Sequence, residues 1–206
     1  MTTYKDTFLL LRKVIGVLGV TLPLILIVGN LISKGVLCVS MSAYYYTVMR
    51  DIFVGSLFVI GFFLFAYPGY EKIDNILCNI AFFLAVGAAI FPTGQAGSVG
   101  GVKHIIHLIC AGLLFLDLSY ISIFLFTKTN RIITSNAKKR RNKIYLTCGI
   151  IMLTMLLAIG STSLYPKVNA NLSLTLWYET ILLWCFGISW AIKGRILRMV
   201  EAPVLL

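Results

Sequence analysis

Apolar residues run in six long blocks, 14–33, 52–68, 75–92, 104–127, 144–163 and 175–192, with polar connectors between them. A helix that crosses a bilayer needs about 20 mostly apolar residues, so the pattern predicts six transmembrane helices. The second and third blocks are short, and Tyr67-Pro68-Gly69-Tyr70 and Phe91-Pro92-Thr93-Gly94 close them, as Pro and Gly close helices. Pro23 predicts a kink in the first helix. The fourth block is the longest, which implies a tilted helix or one that projects beyond the bilayer.

Composition agrees with this pattern. The 206 residues are 59% hydrophobic and only 12% charged, about half the charge of a soluble domain. Mean hydropathy is +0.94. The expected fold is therefore all-α: a polytopic six-transmembrane-helix bundle that uses residues 1–206 as one domain. Lys5, Arg12 and Lys13 ahead of an apolar run mimic a signal peptide. The run to Ile32 is too long for one, so it reads as a retained first span.

The formal net charge of +11 changes the picture only through its placement. Of 18 Lys and Arg residues, 14 fall in the N-terminal segment, the 69–74 turn, the 128–143 loop and the C-terminal segment. The other connectors hold Lys34, Arg50, Lys103 and Lys167. The positive-inside rule then predicts cytoplasmic N- and C-termini. No basic face with interleaved aromatics argues for nucleic acid. The expected partners are membrane lipids, and Lys138-Lys139-Arg140-Arg141 reads first as a topology determinant, with acidic lipid as its second reading. The five cysteines form no CxxC and read as small core residues.

Ionisable groups at membrane depth are costly and mark candidate sites. Most fall at the end opposite the termini. Ser42, Tyr44, Tyr45, Tyr46, Arg50 and Asp51 precede or open the second helix, His104 and His107 open the fourth, and Glu179 lies just inside the sixth. Asp51, His107 and Glu179 reach similar depth on three helices. They admit three readings: a shell for a divalent metal such as zinc, a metal-free acid–base pair, or an interfacial network joining helix ends. Arg50 would hold an anionic headgroup. The tyrosines read as an interfacial belt or as pocket walls, with at least one turned inward. Ser42 reads as a cap, or as a nucleophile if a base reaches it. His104 is expected to be solvated. Asp117, mid-helix and about 15 Å from His107 at 1.5 Å per residue, is expected to be protonated or bonded to Ser or Thr hydroxyls.

Ser40-x-Ser42-Ala-Tyr-Tyr-Tyr-Thr-x-x-Arg50-Asp51-x-Phe-Val-Gly, Phe91-Pro92-Thr93, His107 with its apolar helix, Phe124-Leu-Phe-Thr-Lys128 and Phe186-Gly-Ile-Ser-Trp190-x-x-Lys193-Gly194 together resemble a family of uncharacterised bacterial six-helix membrane proteins. The resemblance covers most of the chain and implies a bacterial inner-membrane location, with no activity attached. Ser42, Asp51 and His107 also resemble the early part of the zinc-binding set of the CREST superfamily of membrane hydrolases, which includes alkaline ceramidases and adiponectin receptors. That superfamily's C-terminal HxxxH is absent from this sequence.

The sequence thus leads to an expected membrane-embedded enzyme, a hydrolase of a lipid or lipid-linked substrate. Asp51, His107 and Glu179 would be its catalytic or metal-binding groups, and Ser42, Tyr44, Tyr45, Tyr46 and Arg50 would bind substrate. The alternative is a non-catalytic protein: a small-ligand or lipid-binding receptor or transporter, or a structural subunit. On the enzyme reading, substitution of Asp51 or His107 abolishes function and substitution of His104 is tolerated.

Overall fold

The computed structural model describes residues 4–67, 69, 71–94, 101–128 and 135–195. Residues 95–100, Pro68 and Tyr70 of the turn that closes the second block, and Arg131 and Arg198 of the basic segments counted above lie outside the described residues. Seven α-helices are present among the described residues, and no strand. They are α1 (Tyr4–Lys34), α2 (Arg50–Phe65), α3 (Lys72–Ile90), α4 (Val102–Tyr120), α5 (Asn136–Ser161), α6 (Pro166–Leu172) and α7 (Leu174–Lys193). Five of the described helices are long and apolar enough to cross a membrane: α1, α3, α4 with its extension to Leu125, α5 and α7.

The second predicted span, α2, has 16 residues, fewer than the roughly 20 that a crossing needs. Its two ends still pair with well-separated positions on α1. Its entry residue Met49 packs against Gly29, and Tyr67, just past its end, hydrogen-bonds Arg12. Those two α1 positions are about 25 Å apart at 1.5 Å per residue. Pro23 lies inside α1 without ending it. The long fourth element is continuous because a π-helical turn, Ile121–Leu125, extends α4.

The helices form a closed ring in which each packs on its neighbours in the order α1, α2, α3, α4, α5, α7, then α1 again. The α1–α7 contact is the most extensive, for a steric reason. A Cβ on Gly16 would lie 2.4 Å from the Ala191 backbone nitrogen, and one on Gly187 would lie 2.7 Å from the Gly16 carbonyl oxygen. Lipid tails are as apolar as leucine, so helices in a bilayer associate by close packing, and small residues permit it. Inside the ring, one core around Ile15, Leu64, Met152 and Trp190 fills the half nearer the termini, here the terminal end. A second core around Leu26, Tyr44, Phe53 and Leu176 fills the other half, the far end.

Candidate functional site

At the far end, the chain leaving α1 turns back over the bundle. Residues 42–46 form a single 3-10 helix. With three residues per turn, successive side chains point about 120° apart, which separates the tyrosine triplet. Tyr44 is fully buried in the far-end core. Its hydroxyl is buried without a hydrogen-bond partner, and burial pushes the phenol up to about 12. Burial also raises the Cys38 thiol. Tyr45 lies under the Arg50 guanidinium, 4.7 Å from ring centroid to Cζ, and its hydroxyl accepts from Arg50 at 3.2 Å. Tyr46 donates to the Thr93 carbonyl at 2.5 Å. The inward tyrosine is therefore a core residue, and Tyr46 lines an open space. Ser42 is buried and shares a 3.2 Å hydrogen bond with Ser40.

The three groups expected to converge are not assembled. Asp51 is exposed in the first turn of α2, where a carboxylate complements the helix dipole. Glu179 accepts the Met41 N–H at 2.6 Å through Oε2. This bond, with the Leu176 N–H donated to the Val39 carbonyl at 3.1 Å, ties the 36–46 segment to α7. His107 is 4% exposed, and its Nδ1 lies 3.0 Å from the Ala88 carbonyl and 2.8 Å from that of Phe91. Both partners are acceptors, so Nδ1 carries the hydrogen and donates. The last carbonyls of a helix have no partner within it, and His107 supplies one to the end of α3. Among the described residues, no group of three or more His, Cys, Asp or Glu side chains is placed to hold a metal ion. The expected shell of Asp51, His107 and Glu179 is thus replaced by one solvated carboxylate and two caps of backbone groups.

His104 also departs from expectation. It is half-buried, and its Nδ1 accepts the Gly94 N–H at 2.9 Å and lies 3.3 Å from the Thr93 hydroxyl. A backbone N–H can only donate, so the bonding pattern places the imidazole hydrogen on Nε2. His104 then forms one wall of an open cleft of about 480 Å³ with Tyr46, Thr93, Gly101, Val102 and Lys103. That volume is within the range of about 300–1,000 Å³ usual for small-molecule sites.

The densest buried polar network lies at the terminal end. Arg12, 8% exposed, donates to the Tyr67 hydroxyl at 2.6 Å and covers the same ring at 4.8 Å. Tyr67 meets Trp190 edge-on at 5.3 Å, and Trp190 meets Phe126 at 5.1 Å. The Lys193 ammonium lies 4.7 Å over Phe126. Both Lys193 and Lys138 donate to the Phe126 carbonyl, at 3.5 and 2.8 Å. Asp74, 6% exposed, belongs to the capping box that starts α3. Asp74, Tyr67, Cys78, Phe126 and Lys193 are among the walls of an enclosed cavity of about 10 Å³, room for about one water.

Sequence reasoning missed this cluster because Arg12 and Lys193 flank apolar spans and read as topology signals. One signal was present: Asp74 is an acid on the basic side of the chain, four residues before Cys78, and so on the same helix face. Asp117, at mid-span, has both carboxyl oxygens buried without a hydrogen-bond partner. Two hydroxyls near it in sequence are engaged elsewhere, Ser119 with the Phe115 carbonyl at 2.6 Å and Ser122 with that of Tyr145 at 2.9 Å.

No protein-family profile, no curated protein and no solved structure matches the chain.

Proposed function

We propose that this chain is a six-span protein of a bacterial inner membrane, with both termini cytoplasmic, that binds an acceptor-rich small molecule or lipid headgroup in the far-end cleft. The observation that carries this reading is the chemistry of the cleft wall. The Gly94 N–H occupies His104 Nδ1, so His104 brings a donor, Nε2–H, and no base. Lys103, also on the wall, carries an ammonium with three donors and no acceptor. A wall of donors selects a ligand rich in acceptor oxygens, such as a phosphate or carboxylate.

The binding reading takes precedence over the hydrolase reading because, among the described residues, the groups expected to hold a metal are not brought together. Glu179 holds the Met41 N–H, and the Nδ1 hydrogen of His107 is given to α3. The order of functional importance inverts accordingly: His104 and Lys103 matter for the ligand, while Asp51 does not.

The test is native mass spectrometry of protein extracted in mild detergent. A co-purifying adduct is expected in the wild type and is lost, by about tenfold in occupancy, in Lys103→Gln and His104→Ala. Hydrolysis of a lipid by the purified protein, abolished by Glu179→Gln while the protein stays folded, would overturn the binding reading and restore the enzyme.

A further inference from the structure

Asp117 is a buried acid for which neither the far-end cleft nor the packing of the bundle has a use. Both of its carboxyl oxygens are enclosed, and neither has a hydrogen-bond partner among the described residues. An ionised carboxylate without a donor is costly in an apolar interior, and acids at this depth mark proton and ion pathways. A bound metal ion fits poorly. Hard cations take about six to eight oxygen ligands, and among the described residues no group of three His, Cys, Asp or Glu side chains could hold one. A proton needs a single carboxyl.

The packing of α4 on α3 sets what Asp117 faces. Cys110 meets α3 at Gly87, where a Cβ would lie 2.6 Å from the Cys110 sulfur. Asp117 lies seven residues further along α4, two turns on and on the same face. It therefore meets the antiparallel α3 two turns nearer the terminal end, at the level of the buried Cys78 and Ala81. The electrostatic surroundings of the Cys78 thiol include Asp117, Asp74 and Arg12.

The enclosed cavity continues this line outward. Its walls include Cys78 and Asp74 from α3, one turn apart, and Ile121 and Leu125 from the extension of α4. Ile121 follows Asp117 by one turn and opens the π-helical turn, a local departure from the α-helix that is frequent at functional sites. Tyr67, Asp74, Cys78 and Lys193 give the cavity the polar walls that a water needs. Past the cavity, Asp74 Oδ2 accepts the Glu71 N–H at 3.4 Å, and the Glu71 carboxylate is exposed beside Lys128. On the elements packed against α4, the titratable groups inside this half of the bundle are Cys78 and Asp74 on α3, Tyr145 and Cys148 on α5, and Cys185 and Lys193 on α7.

We infer that Asp117 is a proton-binding site, filled and emptied from the terminal side of the bundle through the cavity beside Cys78. On release the carboxyl O–H bond breaks and its electron pair stays on Asp117. The proton passes to water in the cavity and leaves past Asp74 to the solvent at the terminal end. Uptake reverses these steps. The site shares no residue with the far-end cleft.

The test is infrared difference spectroscopy of the full-length protein in nanodiscs as pH is varied. The wild type is expected to show the C=O band of a protonated, buried carboxyl that diminishes as pH rises. Asp117→Asn is expected to lose this band. Should that variant fail to fold, Asp117→Glu is expected to shift the band and so to assign it. After transfer to heavy water, Cys78→Ser, which keeps a proton-carrying group, is expected to exchange the carboxyl proton at the wild-type rate. Cys78→Val is expected to exchange it several-fold more slowly. A wild-type band that stays constant at every pH at which the protein is folded would make Asp117 a permanently protonated packing residue and overturn the site. A band unaffected by Asp117→Asn would overturn it too. A band displaced by sodium at constant pH would replace the proton with a metal cation. Equal exchange rates in Cys78→Val and the wild type would overturn the route.

Discussion

The two ends of the bundle hold similar ionisable side chains and use them in opposite ways. At the far end three of these groups answer to the backbone. His107 bonds the last carbonyls of α3, Glu179 holds the Met41 N–H, and His104 holds the Gly94 N–H. At the terminal end the groups answer to one another and to aromatic faces, with Arg12 on Tyr67, Lys193 on Phe126, and both rings on Trp190. The difference follows from what each end must bury. The far end folds irregular segments over the bundle, and their backbone groups need partners where water is scarce. The terminal end receives helices whose flanks are basic, so it must accommodate charge.

The comparison breaks most readily at Arg12. Arg12→Leu removes a hydrogen bond from a buried charged donor and a cation–π contact together. The expected loss is about 3 kcal/mol, read as a drop in thermal stability of the detergent-solubilised protein. A loss below about 1 kcal/mol would show that the terminal network holds little of the fold. His107→Ala tests the other end. It leaves two buried carbonyls at the end of α3 without their side-chain donor, and the expected cost is about 2 kcal/mol. Far-end ligand occupancy should be unchanged at temperatures where the variant is folded. Loss of ligand at full stability would return His107 to the site. The smallest effect is expected at Asp51. Asp51→Ala gives up only an exposed charge near a helix start, about 0.5 kcal/mol, and should leave ligand occupancy of the cleft intact. A specific loss of binding there would show that the exposed carboxylate meets the ligand after all.

The six apolar blocks were legible because desolvation acts residue by residue. A run of side chains too apolar for water reads the same in sequence as in space, and five of the six blocks emerge as helices long enough to cross. The candidate site was legible only as a depth. Asp51, His107 and Glu179 do lie near the same end, but depth does not fix the direction in which a side chain points. Tyr44, Tyr45 and Tyr46 show this most plainly. Three identical neighbours become a core residue, an arginine platform and a cleft wall because a 3-10 turn separates them by a third of a circle.

The sequence by itself determined the all-helical class, five long apolar helices and the asymmetry of basic residues, since these depend on composition along one dimension. The tertiary structure alone decided the partners. A buried histidine or glutamate bonds whichever orphaned backbone group the packing brings within reach, and that group is set by contacts between segments far apart in the chain: Met41 with Glu179, Ala88 with His107, and Arg12 with Tyr67.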